Sequence, residues 1–491
     1  MTYSAPPATS INTCSCRRRQ PFSRRPPCNS AHPVWPPASD NWRRHPSRRW
    51  SSSSAPGWPE PRRRQAASAS GSFPPWNTFW LFLAQALSAD GSCREAVRQA
   101  QVWFFACQDL LLSSSTAAYC QARQRLKLSW LKLLHRHVVE QVEAAGRPGG
   151  QWLGRTVKLV DGSSLSMPDT APNQARFPQP SGQKPGCGFP VMRVVALFSL
   201  ATGTIIEMVF DSLHVAELIL FHRLWSLLAL GDVLLADRGF CSFAEIFFLT
   251  QRGVDCVLRK HQRRSTGVHP VRRLGRGDHL VFWSKTDVCP TWLTKQQWRE
   301  LPPTLRLREI SFAVAIPGFR TQNITVVTTL LDYRAFPHSA FAELYRRRWL
   351  AELFLRDLKC SLGLDPLRCR TPAMVEKELR IRLLAYNLVR ALMLQAAQTH
   401  QVPRFRLSFM GALATVRQWA PWMALLDDEQ KQPGMLDALL YYLARDLVPS
   451  RPNRVEPRAL KRRLKNYQLL TAPRKLFREI PHRNKYHVSL S

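Results

Sequence analysis

Two aspartates stand in apolar surroundings where an acid is costly. In VKLVDGSS, Asp161 interrupts a strand-like run, and in DVLLADRGF, Asp237 ends one. A carboxylate among Val, Leu and Ala on a central strand must be paired or bind a cation. Each alone reads equally well as a cap or turn residue, the reading that Asp169, Asp211 and Asp232 invite. Together they read better as a pair, because a sheet can set two central strands side by side. A third acid lies in YRRRWLAELFLRDLK, residues 345–359, where Tyr345, Arg348, Glu352 and Lys359 follow at steps of 3, 4 and 7. On one helix these intervals share a face. Asp357 falls roughly 140° around from Glu352, toward solvent or a neighbouring arginine. Three carboxylates with no His or Cys cluster suit hard divalent cations, Mg²⁺ or Mn²⁺. Two such ions would clamp the attacking and leaving oxygens of an in-line displacement at phosphorus. The plainer alternative is a glutamate making i,i+4 pairs with Arg348 and Arg356.

The elements that must position these acids follow from the hydrophobic period. RTVKLVDGSSLSM, MRVVALFSL and TIIEMVF read as three strands, the last two joined by the tight turn ATG. The helix HVAELILFHRLWSLL, the strand DVLLADRGF, the helix SFAEIFFLTQRG and the strand VDCVLRK come next. That order describes a mixed sheet flanked by helices, over residues 150–400. A polar, β-like stretch at about 260–335 interrupts it, and a helix over 374–398 closes it. Upstream, residues 76–149 carry helical spacing in FWLFLAQAL, REAVRQAQVWFFACQDLLL and AYCQARQRLKLSWLKLLHRHVVEQVEAA, which suits a helical DNA-binding domain. Downstream, residues 401–491 read as helices and a basic tail.

The totals narrow the partner. A formal charge of +36 on 491 residues points to a polyanion. No apolar run is long enough to span a bilayer, and no secretory leader is visible, so nucleic acid is the expected partner rather than a membrane. Residues 1–75 hold twelve Arg, no Lys, and only Asp40 and Glu60 as acids, 12 − 2 = +10 of the charge. So few aliphatic residues predict a disordered extension. The twelve cysteines form no CxxC pair and read as reduced and mostly buried, in a cytoplasmic protein.

Tyr345-x2-Arg348-x3-Glu352-x6-Lys359 resembles the Tyr-Arg-Glu-Lys signature of the insertion sequence four family of bacterial DDE transposases. KLVDGSSLSMPDT and GDVLLADRGF resemble that family's first and second acid motifs, and the likeness runs over roughly residues 76–475. It implies a ribonuclease-H-like catalytic domain with a β-rich insertion and two bound Mg²⁺ or Mn²⁺ ions. It also implies a homodimer on double-stranded DNA, cutting at terminal inverted repeats and joining to target DNA, in the bacterial cytoplasm at the nucleoid. Asp161, Asp237 and Glu352 would be the metal ligands. Tyr345, Arg348 and Lys359, with Arg238 beside the second acid, would contact the DNA. Trp283, Trp292 and Trp298 are candidates to stack on a flipped base, although a core position is the ordinary place for each. A nuclease of the same fold without strand transfer, and a non-enzymatic DNA-binding protein, are the rival readings.

Overall fold

The computed structural model describes residues 73–108, 111–147, 149–261, 264, 268–314, 322–425, 431–449 and 476. The expected extension, save its last three residues, and the terminal EPRALKRRLKNY lie outside the described residues.

The centre is one nine-stranded sheet. Strands β1 (Val157–Ser166), β2 (Val191–Ser199) and β3 (Ile205–Ser212) form an antiparallel meander. Its second turn closes on Gly203 at φ +75°, where a Cβ would stand 3.1 Å from the Phe354 ring, so glycine serves both backbone and packing there. Strands β4 (Val233–Ala236) and β5 (Asp255–Arg259) then run parallel to β1. Strands β6 (Val268–Gly275), β7 (Asp278–Ser284), β8 (Thr304–Val314) and β9 (Gln322–Thr328) extend the same sheet, in the order β3-β2-β1-β4-β5-β9-β8-β7-β6. The stretch expected as a β-rich insertion is indeed strands, and it extends the same sheet, because β9 pairs antiparallel with β5. The first five strands, three antiparallel and then two parallel, have the ribonuclease-H-like order.

Upstream of the sheet stand α1 (Pro75–Leu87), α2 (Cys93–Gln108), α3 (Ala117–Arg125) and α4 (Leu128–Gly146). The third expected helix is thus two, broken at Leu126 and Lys127. Both have extended ψ there, and Leu126 is buried in the core. Shorter helices follow: α5 (Ala171–Arg176), α6 (Glu217–His222), α7 (Phe243–Gln251) and α8 (Lys295–Glu300). Then come α9 (His338–Arg347), α10 (Trp349–Arg356), α11 (Pro372–Thr399), α12 (Phe409–Leu425) and α13 (Lys431–Arg445).

Alternating strand residues feed two cores. Val160, Leu234 and Ala236 join residues of α6 and α7 on one face. Leu159, Leu235 and Phe198 join α1, α10 and the 28-residue α11 on the other. Asn387 of α11 hooks the sheet by donating to the Ile205 carbonyl and accepting its N–H, both at 2.9 Å.

The single helical stripe expected over 345–359 is also interrupted. It divides at Arg348 between α9 and α10, and a π-helical turn takes over at Asp357–Ser361. Asp357 does not face solvent. It is buried, with Oδ2 accepting from Arg390 of α11 at 2.9 Å and Oδ1 lying 3.5 Å from Arg356. Burial pushes this carboxyl above its ordinary range against the pull of Arg390. Removing one member of a buried pair leaves the other charge uncompensated, so Asp357→Asn should cost about 3–5 kcal/mol in urea unfolding. Adding Arg390→Met should recover most of that loss. An unchanged unfolding midpoint in the single variant would show that the pair is idle.

Candidate active site

The β1–β4 ladder sets the two aspartates side by side. Its pairs Val157↔Val233, Lys158↔Leu234 and Leu159↔Leu235 keep a constant offset, 235 − 159 = 76. The aspartates have the same separation, 237 − 161 = 76. Two residues beyond the last pair, Asp161 stands within β1 and Asp237 directly after the end of β4, on neighbouring strands. They point to the same face as Leu159 and Leu235, the face on which α10 packs.

Helix α10 brings Glu352 to that face. Phe354 seats the helix, its ring 5.6 Å from Phe198 of β2, and Ala351, Phe354 and Leu355 are buried beneath it. Glu352 Oε1 accepts from Arg348 at 2.6 Å, so the plain i,i+4 pairing with Arg348 does form, while Arg356 instead approaches Asp357. Asp161 Oδ1 accepts from the Gly162 N–H at 2.9 Å, and Asp237 Oδ1 accepts from the Gly239 N–H at 2.8 Å. Among the described residues the second oxygen of each of these three acids accepts no hydrogen bond.

The acids feel one another. Burial pushes the Asp161 carboxyl up to about 6; the Gly162 N–H and Arg348 oppose this, and the charges of Asp237 and Glu352 add to it. Burial likewise raises the Tyr345 phenol to about 12, with Asp237 adding and Arg348 and Arg259 opposing. Tyr345 is thus beside the acids but only 6% exposed, packed in the core. Lys359 reaches back to β1: Nζ donates to Ser163 Oγ at 3.1 Å and to the Ser164 carbonyl at 2.8 Å, and pairs with Asp365 at 3.2 Å. The π-helical turn is what carries it there. Arg238 is exposed on the 3₁₀ turn after Asp237.

The other sequence candidates settle elsewhere. Asp232 accepts from the Ala229 N–H and pairs with Lys158, a turn role. Asp211 pairs with Arg176 and Arg223, and Asp169 accepts from Gln174. Trp283 and Trp298 are core residues, and Trp292 packs edge-on against His222. Of nine described cysteines only Cys241, Cys256 and Cys369 are buried, fewer than expected. Glu217, which sequence reasoning passed over, abuts the residue after Asp161: a Cβ on Gly162 would lie 2.8 Å from its carboxyl. No spacing in the sequence signals that approach, because the β2–β3 hairpin separates the two.

The donor chemistry suits a hard divalent cation, being carboxylate oxygen with one uncommitted atom on each acid. As the side chains stand, no three acids, histidines or cysteines among the described residues close on a single metal position. Glu352 is held by Arg348 instead.

The chain is similar to several known proteins. Residues 152–388 match the transposase DDE domain family. Over 367 residues the chain is 28% identical to the transposase InsG for insertion sequence element IS4 of Escherichia coli (strain K12), covering 73% of this chain and 79% of that one. A piggyBac transposase synaptic complex with hairpin DNA is a looser likeness, at TM-score 0.39 and 11% identity over 80% of this chain and 82% of the other. In its motifs and over most of its length the chain is thus similar to DDE transposases, among them the transposase of insertion sequence element IS4.

In the metal-free chain the Asp161 carboxyl should be neutral below pH of about 6 and ionised above it. A cation competes with that proton, so its affinity should rise with pH through this window. Asp237→Asn removes a like charge and should move the midpoint down; Arg348→Ala removes an opposite charge and should move it up. A ¹³C NMR titration of the Asp161 carboxyl reads this directly. A midpoint at the ordinary value of about 3.9 in all three proteins would contradict the convergence of these groups.

Proposed function

We propose that the chain binds the inverted-repeat ends of its insertion element, cleaves the DNA there and joins the freed 3′-OH ends to target DNA. The observation that carries this reading is the shared 76-residue offset, which delivers Asp161 and Asp237 together beneath the helix that bears Glu352. Asp161, Asp237 and Glu352 would hold two Mg²⁺ or Mn²⁺ ions. Bound there, such ions would polarise the scissile phosphate and lower the pKa of an attacking water.

The chain's own residues orient the substrate. Arg348, half-buried between the acids, presents a guanidinium to phosphate and restrains Glu352. Lys359 fixes the end of β1 through Ser163 and Ser164, which steadies Asp161 on the same strand. Tyr345 offers the edge of a buried phenol beside Arg348, and exposed Arg238 extends the cationic surface past Asp237. In the first reaction water breaks the strand at the transposon end, leaving a 3′-OH. In the second that hydroxyl attacks a target phosphodiester and displaces its 3′-oxygen, so the bond count is conserved. The site acts from a homodimer that holds both ends, on DNA of the bacterial nucleoid.

The test is one assay on a terminal-repeat duplex with Mg²⁺ and a target plasmid. Wild type should yield cut ends and joined products; cut ends alone would indicate a nuclease. Asp161→Asn, Asp237→Asn and Glu352→Gln should lose both products while still binding the duplex. Arg348→Ala should weaken the end complex by about 1.5–3 kcal/mol, the worth of a charged hydrogen bond. Equal loss of binding in the acid and arginine variants would overturn these roles. Duplex affinity should also fall steeply with added salt, since phosphate contacts release counterions.

A further inference from the structure

Five arginines are buried among the described residues: Arg123, Arg308, Arg380, Arg382 and Arg390. Four have a carboxylate. Arg308 holds Asp278 through two hydrogen bonds of 2.8 and 2.6 Å, Arg390 holds Asp357, Arg380 holds Glu207, and Arg382 lies 3.5 Å from Glu378. Arg123 has none. A guanidinium taken out of water without a counter-charge is strongly disfavoured.

Its surroundings do not supply the missing anion. Arg123 is 8% exposed, and its Nη1 donates to Gln85 Oε1 at 3.2 Å. Its Nη2 reaches only the thiols of Cys93 at 3.2 Å and Cys120 at 3.8 Å, and Nε, also buried, donates to nothing. Phe82 and Tyr119 sandwich the group, with ring centroids 5.0 and 5.1 Å away. Burial pushes the Cys93 thiol up against the pull of Arg123, which keeps it neutral.

Arg123 lines a cavity of about 400 Å³ between α1–α3 and the 368–371 segment that leads into α11. Arg368, Arg370 and Arg382 line it too, with Glu378 the one acid, so the walls carry 4 − 1 = +3. Glu378 is already committed, accepting the Arg368 and Cys369 N–H groups beside its pair with Arg382. Arg368 and Arg370 are exposed at the mouth, and Arg368 lies across Gly91, donating to the Asp90 carbonyl. A volume of this order is that of a small-ligand site.

We propose that this cavity binds a phosphate group, with Arg123 as its buried counter-charge and Arg368 and Arg370 at its entrance. Arginine forks match phosphate oxygens two at a time. The phosphate comes either from a free phosphate ester or from a DNA strand, and the two sources share this chemistry. The site is separate from the acids, and its test needs no DNA cleavage.

The readout is iodoacetamide alkylation of Cys93 and Cys120 in the full-length chain, resolved by mass spectrometry, with exposed Cys360 as internal reference. Inorganic phosphate is compared with chloride at equal ionic strength, and separately with a DNA duplex in chloride. At ten times the half-saturating phosphate, alkylation at Cys93 and Cys120 should slow about tenfold by mass action, with Cys360 unchanged. Protection by the duplex alone, without free phosphate, would assign the source to DNA. Arg368→Ala with Arg370→Ala, both at exposed positions, should raise the half-saturating concentration about tenfold or more, the loss of at least one charged hydrogen bond. Arg123→Gln should abolish protection wherever its thermal melting shows a folded chain. No protection by phosphate or duplex, or protection unchanged in the double variant, overturns the proposal.

Discussion

The parallel ladder between β1 and β4 is the constraint on which the acid site depends. Side chains alternate faces with a period of two, so a one-residue slip would send one aspartate to the opposite face of the sheet. The register is held from both sides. Leu159 and Leu235 are fully buried in one core, and Val160 and Leu234 in the other. A slip would have to expose apolar residues on both faces at once. Arg155 adds a pin at the strand entrance, with Nε donating to the Gly231 carbonyl at 2.8 Å.

Chain direction then decides which face receives α10. The run from β1 to β4 and on to β5 moves one way across the sheet, and right-handed crossovers put their helices on a single face. That face holds α6 and α7. The opposite face is left for elements arriving from elsewhere, and α10 and α11 take it. The strands β6–β9 fit the same logic. They lengthen the sheet beyond β5 and return the chain on the side where Phe336 and Phe341 pack on Trp152, just ahead of β1.

Much of this was legible in the sequence because it rests on short-range period. The five ribonuclease-H-like strands, the glycine turn between β2 and β3, and the helix over 374–398 follow from alternation and helical spacing, and all are present. The site motifs were legible because acids in apolar runs are rare. What escaped the sequence depends on long-range contact. The break between α3 and α4 lets Leu126 turn into the core, which periodicity alone cannot register. The π-helical turn at Asp357–Ser361 appears where Asp357 is drawn to Arg390, a partner 33 residues away. The docking of β9 on β5 is a pairing between distant segments, and the sequence showed only that the stretch was β-like. The approach of Glu217 to Gly162 belongs to the same class.

Glu352 shows why two readings of one residue can both hold. A glutamate four residues after an arginine pairs with it on any helix, and such pairs on exposed helices contribute only a few tenths of a kcal/mol. Glu352 makes that pair with its own side chain 39% exposed and its partner largely covered. Arg348 is only 17% exposed at its side chain, and its charge acts on Asp161 as well as on Glu352. One guanidinium therefore acts on two of the acids, Asp161 and Glu352. An ordinary helix pair and a place beside Asp161 are compatible, because one guanidinium bonds Glu352 and also acts on Asp161. Phe354, seated against Phe198, fixes the helix that carries both partners. The arginine in the signature thus has a structural reason to stand four residues from the glutamate, independent of any DNA it touches.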